Sequence, residues 1–249
     1  MRVAAIYDIH GNLPALEAVL DEIRARGADL IVVGGDVLPG PMPVETVECL
    51  RALKTPAQFI QGNGEAAVLA QLAGAESSGL PEQAREAVHW TAQQLRPEQV
   101  SWLTSWPATC SVEVRFLGQA LFCHATPRND SEIFTSRTPE EVLLPVFQGA
   151  GAQVVVCGHT HMLFDRMVGP TRVVNAGSVG MPFGEAGADW LLLGPDVQLQ
   201  HTSYDLKQAA DRIRETAYPQ AQDFAARNIL VPPTEDEMLK VLTRAELKS

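Results

Sequence analysis

The sequence predicts an α/β fold, and three observations predict it. The first half alternates short apolar runs with amphipathic stretches in a βαβαβ rhythm, which implies a largely parallel sheet covered by helices. From about Ser111 the apolar runs are joined by short Gly/Pro turns, the mark of hairpins and antiparallel pairing. From Tyr204 onward the pattern is again helical, broken at Pro219 and at Pro232-Pro233.

Taken in order, Val3 to Tyr7 is a continuous apolar run and reads as a buried strand. Leu13 to Arg26 reads as a helix, with Leu13, Leu16, Val19, Leu20 and Ile23 on one face. Asn12 can cap it, Pro14 sits in its first turn and Gly27 ends it. Asp29 to Val33 is a second strand, Pro43 to Lys54 a second helix and Gln58 to Gln61 a third strand. Glu65 to Pro107 is amphipathic and helical, with breaks at Gly74, Gly79, Pro81 and Pro97. Further strands are expected at Ser111–Phe116, Ala120–Cys123, Val154–Cys157, Arg172–Val174, Trp190–Leu193 and Val197–His201. One domain over residues 1–249 is expected, its core reaching about Tyr204, with a helical tail over 205–249 packed on it.

Composition excludes several functions. A chain of 249 residues, 46% hydrophobic and 20% charged, is globular in composition and can bury a full core without disulfides. A net charge of -11 argues against a broad nucleic-acid or acidic-membrane surface. It does not argue against a small phosphorylated substrate, because divalent cations reverse the potential inside a cleft. No apolar run approaches the length of a membrane span, and Met1-Arg2 leads straight into a strand, with no signal peptide visible. Cys49, Cys110, Cys123 and Cys157 form no C-x-x-C pair, and Cys123 and Cys157 lie inside apolar runs. A reduced cytoplasmic protein is the expectation. Oligomeric state is open; the apolar helical segment Ala66–Leu72 could serve a homo-oligomer interface.

The chemistry gathers at the ends of the apolar runs: Asp8-Ile9-His10, Gly34-Gly35-Asp36, Gly62-Asn63-Gly64-Glu65, His124 and Gly158-His159-Thr160-His161. Four of the six histidines lie there. In an extended segment, residues two apart point the same way. Asp8 and His10 would then face one ion while Ile9 turns to the core, and His159 and His161 would do the same. Gly35 and Gly158 remove side chains where backbone and metal approach closely. Asp36 has two oxygens and could bridge two cations; Asn63 adds a neutral amide oxygen. Two divalent ions, two carboxylates and one hydroxide leave a residual positive charge suited to phosphate ester hydrolysis. His89 and His201 belong to no motif.

The order D-x-H, G-D, G-N, H, G-H-x-H resembles the calcineurin-like metallophosphoesterases, from Met1 to about Tyr204. The resemblance implies a four-layer αββα sandwich with two mixed β-sheets and a centre of two divalent ions, manganese first, with iron, zinc or nickel as alternatives. It implies that one ion takes Asp8, His10 and His161, the other Asn63, His124 and His159, with Asp36 bridging. It implies a phosphodiesterase or phosphatase working by in-line attack of metal-bound hydroxide. Asn175 to Gly180 resembles the family's turn beside the site, and reads equally well as a plain tight turn.

One position departs from the family pattern. The family's histidine after G-N, which helps to protonate the leaving group, is Gly64 here, although Glu65 keeps the acidic position. General acid help accelerates a reaction roughly a hundred- to ten-thousand-fold. Its loss predicts preference for activated diesters, phosphoanhydrides or cyclic nucleotides over alkyl monoesters. Arg128, soon after His124, is a candidate to hold a phosphate oxygen, and His89 a weaker candidate proton donor. Alternatives are a phosphomonoesterase or protein phosphatase, or a non-catalytic scaffold of the same fold. A metallo-β-lactamase-like enzyme would need H-x-H-x-D-H, and an amidohydrolase-like one would open with H-x-H; neither pattern is present.

Overall fold

The computed structural model describes residues 1–75 and 79–247. Residues 76–78, inside the stretch read as helical, and 248–249, at the end of the tail, lie outside the described residues. The chain forms two mixed five-stranded sheets with helices on both sides. In the first, β1 (Val3–Ile6), β2 (Leu30–Val33) and β3 (Ala57–Phe59) run parallel; β9 (Ala188–Leu193) and β10 (Val197–Thr202) extend it antiparallel, in the order β10-β9-β1-β2-β3. In the second, β5 (Gly118–Cys123), β6 (Val154–Cys157) and β8 (Thr171–Ala176) run parallel. There β4 (Thr109–Val114) and β7 (Leu163–Val168) form the edges, in the order β4-β5-β6-β8-β7.

Alternation along the strands builds the layers. Val3, Ala5 and Tyr7 point into the seam between the sheets, where they meet Phe122, Val154 and Val156. Ala4 and Ile6 point the other way, into a core shared with α1 (Leu13–Arg26) and α2 (Pro43–Arg51). On the outer face of the second sheet, Val155 and Val173 pack with Leu143 and Phe147 of α6 (Glu140–Phe147). This is the αββα sandwich that the resemblance implies: a strand buried on both faces reads as an unbroken apolar run because each layer takes every second residue.

Most elements fall where the sequence places them. Asn12 Oδ1 accepts a hydrogen bond from the Ala15 amide at 3.2 Å, and Gly27 closes α1 in the left-handed region at φ 68°. The helical stretch divides into α3 (Asn63–Leu72), α4 (Glu82–Gln94) and α5 (Pro97–Thr104). Two elements were not expected: β7 and α6. Strand β7 is an edge strand whose burial does not alternate cleanly, so it carries little periodic signal. Helix α6 contains Pro145, which reads as a breaker in sequence but is accommodated in its last turn.

The C-terminal tail forms α7 (Leu206–Arg214), α8 (Ala221–Phe224), a π-helical turn over Ala225–Leu230 and α9 (Glu235–Ala245). Ile213, Phe224, Ala225 and Ile229 bind α7 to the turn, and Ala87 of α4 joins the same cluster. Among the described residues, no helix is long and apolar enough to cross a membrane.

Candidate metal centre

Every strand that leads to a predicted ligand has at least one parallel neighbour and delivers that ligand just beyond its carboxyl end, where open parallel sheets form their clefts. β1 is followed by Asp8 and His10, β2 by Asp36 and β3 by Asn63. In the second sheet β5 is followed by His124, and β6 by His159 and His161.

The expected extended backbone at these positions is corrected by the structure. Both D-x-H and H-x-H lie in left-handed turns: φ is 53° at Asp8, 47° at His10, 66° at His159 and 56° at His161, with Asp36 at 50°. Among the described residues the only other non-glycine position with positive φ is Phe116. Each such residue carries roughly 1–3 kcal/mol of strain, and strain of this kind clusters at functional sites. The pleat therefore does not aim these side chains; consecutive tight turns do. Ile9 still turns fully into the core, as expected.

The side chains form two clusters with ligand atoms within 4.8 Å of one another: Asp8, His10 and His161, and Asp36, His124 and His159. Asp36 spans both, its Oδ2 lying 3.8 Å from His10 Nε2 and its Oδ1 3.4 Å from His124 Nε2. Asn63 Oδ1 lies 3.0 Å from His124 Nε2. A β-carbon at Gly158 would overlap Asp8 Oδ2, and one at Gly35 would come within 2.9 Å of His124 Nδ1, so the close approach inferred from both glycines is present.

Three imidazoles are oriented by carbonyl oxygens. His10 Nδ1 faces Pro39 O at 3.3 Å, His124 Nδ1 faces Gly34 O at 3.0 Å, and His161 Nδ1 faces Met181 O at 3.0 Å. A nitrogen that faces a carbonyl carries the hydrogen, which leaves Nε2 as the lone-pair atom in the neutral ring. His10 Nε2 and His161 Nε2 then oppose one another at 3.2 Å. Asp8 Oδ1, fully buried, has no hydrogen-bond partner and lies 3.4 Å from His161 Nε2. Opposed lone pairs beside an unpartnered carboxylate oxygen fit a bound cation, and the nitrogen and oxygen donor set fits a divalent metal.

The electrostatics agree. Burial opposes ionisation of Asp8 and Asp36, but the imidazoles outweigh it and hold both carboxyls below the usual range. Burial depresses His159 to about 4, helped by the His124 charge, so its ring stays neutral. Burial acts on His124 too, yet the Asp36 and Asp8 charges prevail and push it up to about 10. Asp8 likewise raises His161 against its burial.

Three neighbouring residues hold this arrangement, and sequence reasoning gave them at most a generic role. Glu65 does not orient an imidazole. Buried at the start of α3, it accepts from the amides of Asp36 at 2.8 Å, Gly62 at 2.9 Å and Leu38 at 2.9 Å, tying two ligand loops together. Burial and the Asp36 charge raise its carboxyl to about 7. Asn175 donates to Gly158 O at 2.7 Å and Thr160 Oγ1 at 3.1 Å, and Ser178 Oγ donates to Asp8 O at 2.7 Å. The Asn175–Gly180 turn is thus a brace for both ligand turns rather than a plain connection.

A cavity of about 520 Å³ opens onto His10, Asp36, Asn63, His159 and His161. Arg128 does not line it. Its guanidinium pairs with Glu132 at 2.8 Å, and it borders a separate cavity of about 280 Å³ that His124 also lines. His89 is exposed on α4 and bonds Gln93 at 2.8 Å. His201 pairs with Asp189 at 2.8 Å on the β9–β10 hairpin. Neither borders the main cavity.

Fold and clusters together define a class, the metallophosphoesterases. Residues 1–194 match the profile of the calcineurin-like phosphoesterase superfamily domain, and the chain belongs to that superfamily. It is 29% identical over 240 residues to an uncharacterized protein of Methanocaldococcus jannaschii, a match that covers 88% of this chain and 94% of the relative. The solved structure of a metallophosphoesterase from Sphaerobacter thermophilus superposes with a TM-score of 0.72 at 26% identity, covering 91% of this chain and 98% of that one. A hypothetical protein from Pyrococcus horikoshii OT3 shares the fold at a TM-score of 0.79 and 20% identity, covering 94% and 99%.

Proposed function

We propose that this protein is a two-cation phosphoesterase that hydrolyses phosphodiesters or other activated phosphate bonds of a small substrate. The observation that carries the reading is the opposed pair of imidazole nitrogens beside the unpartnered Asp8 oxygen. Asp8, His10 and His161 would hold one ion, Asn63, His124 and His159 the other, and Asp36 would lie between them. Bound cations polarise a phosphoryl oxygen and lower the pKa of water to near neutrality. The chain's own part is positional. Carbonyl oxygens fix three rings, Glu65 and Ser178 fix the loops, and the cavity receives the ester. Manganese is proposed first, since mixed nitrogen and oxygen ligands accept several divalent ions. A reducing, cytoplasmic setting is proposed with it, supported by the burial of the Cys123 and Cys157 thiols as core residues.

No imidazole stands at Gly64 to protonate a departing oxygen. With manganese restored, kcat/KM is expected to favour aryl diesters and phosphoanhydrides over alkyl monoesters by about a hundredfold or more. A panel of graded leaving groups checks this; a flat response removes the argument. Retention of two metal equivalents without turnover of any member would favour the scaffold reading instead.

Metal uptake is also expected to release protons. His124, raised by the carboxylates to about 10, holds a proton at neutral pH in the metal-free site and must lose it to bind an ion. Affinity therefore rises as pH rises toward the raised His124 value of about 10 and falls as pH is lowered. Calorimetric titration of manganese at pH 7 in buffers of different ionisation enthalpy should show release of at least one proton; enthalpies independent of buffer would contradict it.

A further inference from the structure

The outer wall of the main cavity comes from the C-terminal helices, beyond the segment matched by the family profile. Tyr218, Phe224, Arg227 and Asn228 line it together with five of the predicted ligands, and Phe183 stacks on His161 with ring centroids 5.5 Å apart. Arg227 is the one arginine or lysine among the lining residues. Among the described residues its guanidinium makes no ion pair or side-chain hydrogen bond, in contrast to Arg128.

Its support is firm. Arg227 sits in the π-helical turn, where the Val231 amide reaches back to Ala226 O at 3.0 Å. Buried Ala225 and Ile229, two residues to either side, anchor that turn against α7, which leaves Arg227 exposed on the cavity side. Single π-turns of this kind are frequent at functional sites. An unpaired cation on a rigid turn, facing a cavity that also holds Asp36 and Asp223, is suited to an anion brought in by the substrate.

We infer that Arg227 binds the leaving phosphate of a phosphoanhydride whose flat organic group lies against Phe183, Tyr218 and Phe224; a nucleoside diphosphate has this chemistry. The inference rests on the proposed phosphoesterase reading and names its substrate class. A leaving phosphate needs little protonation, which fits the missing imidazole at Gly64. Its negative charge, developing as the bond breaks, is what a guanidinium stabilises. The oxygen of water forms the new P–O bond and the bridging P–O bond breaks. The electron pair departs on the leaving phosphate, and the two hydrogens of water end on the products or as a released proton.

The test uses the full chain loaded with manganese, comparing wild type, Arg227→Ala, Arg227→Lys and, as a control on α7, Arg212→Ala. ADP and bis(4-nitrophenyl) phosphate are the substrates, and the methylene-bridged analogue of ADP is the ligand for calorimetry. In Arg227→Ala the analogue is expected to bind about 10- to 100-fold more weakly and kcat/KM for ADP to fall by at least as much. Arg227→Lys should fall between, and kcat/KM for the nitrophenyl diester, whose leaving group carries no phosphate, should move less than about threefold. Unchanged analogue affinity, or an equal loss on both substrates, overturns the assignment. If wild type hydrolyses neither compound while analogue affinity still drops in Arg227→Ala, the hydrolase reading fails and the Arg227 anion site stands.

Discussion

Asp36→Ala is expected to strip at least one of two cations from the protein and to lower turnover by more than about a thousandfold, or about 4 kcal/mol of transition-state stabilisation. The magnitude follows from where this carboxylate stands. Its two oxygens face imidazoles of different clusters, Oδ2 toward His10 and Oδ1 toward His124. Its Oδ1 also accepts from the Gly64 amide at 2.6 Å, which fixes the carboxylate plane. Removal therefore takes away the shared ligand and frees both neighbouring rings. Elemental analysis of the purified variant after gel filtration, beside wild type, reads the stoichiometry. Asp36→Asn, which keeps an acceptor for Gly64, separates loss of the ligand charge from loss of the loop contact. Full retention of both metal equivalents in the alanine variant would mean that the clusters bind without a bridge.

Gly64→His, which would recreate the family's usual histidine, is expected to damage the protein rather than improve it. A β-carbon on Gly64 would overlap the Leu38 carbonyl oxygen and lie 2.9 Å from Asp36 Oδ1. The loop after Asp36 occupies the space that a side chain would need, and the same loop is held by Glu65 through the Leu38 amide. Forcing a side chain in would displace Asp36 together with the loop. Overpacking of this kind is worth roughly 1–3 kcal/mol or more, so a melting temperature lower by about 3 °C or more and reduced metal content are expected. Thermal unfolding with and without manganese checks both. A variant of unchanged stability that turns over alkyl monoesters faster would show that the loop yields freely and that Gly64 is a simple loss.

The sequence was most informative where several layers of constraint coincided. The double burial of β1, β2 and β6 made them unbroken apolar runs, and the chemistry followed directly at their ends. All seven predicted ligands converge, because polar residues that break an apolar run at a strand terminus have few other places to go. How they converge was not legible. The left-handed turns at Asp8, His10, Asp36, His159 and His161 are held by contacts distant in sequence, such as Ser178 on Asp8 and Asn175 on Gly158. Arg128 shows the opposite failure. Closeness to His124 in sequence is not closeness to the cavity, since the loop closes on itself between the Thr126 amide and Asn129 O at 2.9 Å and Glu132 claims the guanidinium. The C-terminal wall was invisible for a simpler reason. A helical tail carries no marker of what it covers, and the lack of a partner for Arg227 is a property of the folded chain that its sequence does not display.

Each cluster draws from both layers of the sandwich, Asp8 and His10 from one and His161 from the other, and likewise Asp36 against His124 and His159. A bound ion would therefore pin the two layers together where their strands end, and sliding of one layer over the other would break its coordination. Occupancy at the cleft would then be felt as stiffness along the whole length of Val3, Ala5, Phe122 and Val156, in a part of the molecule that never touches substrate.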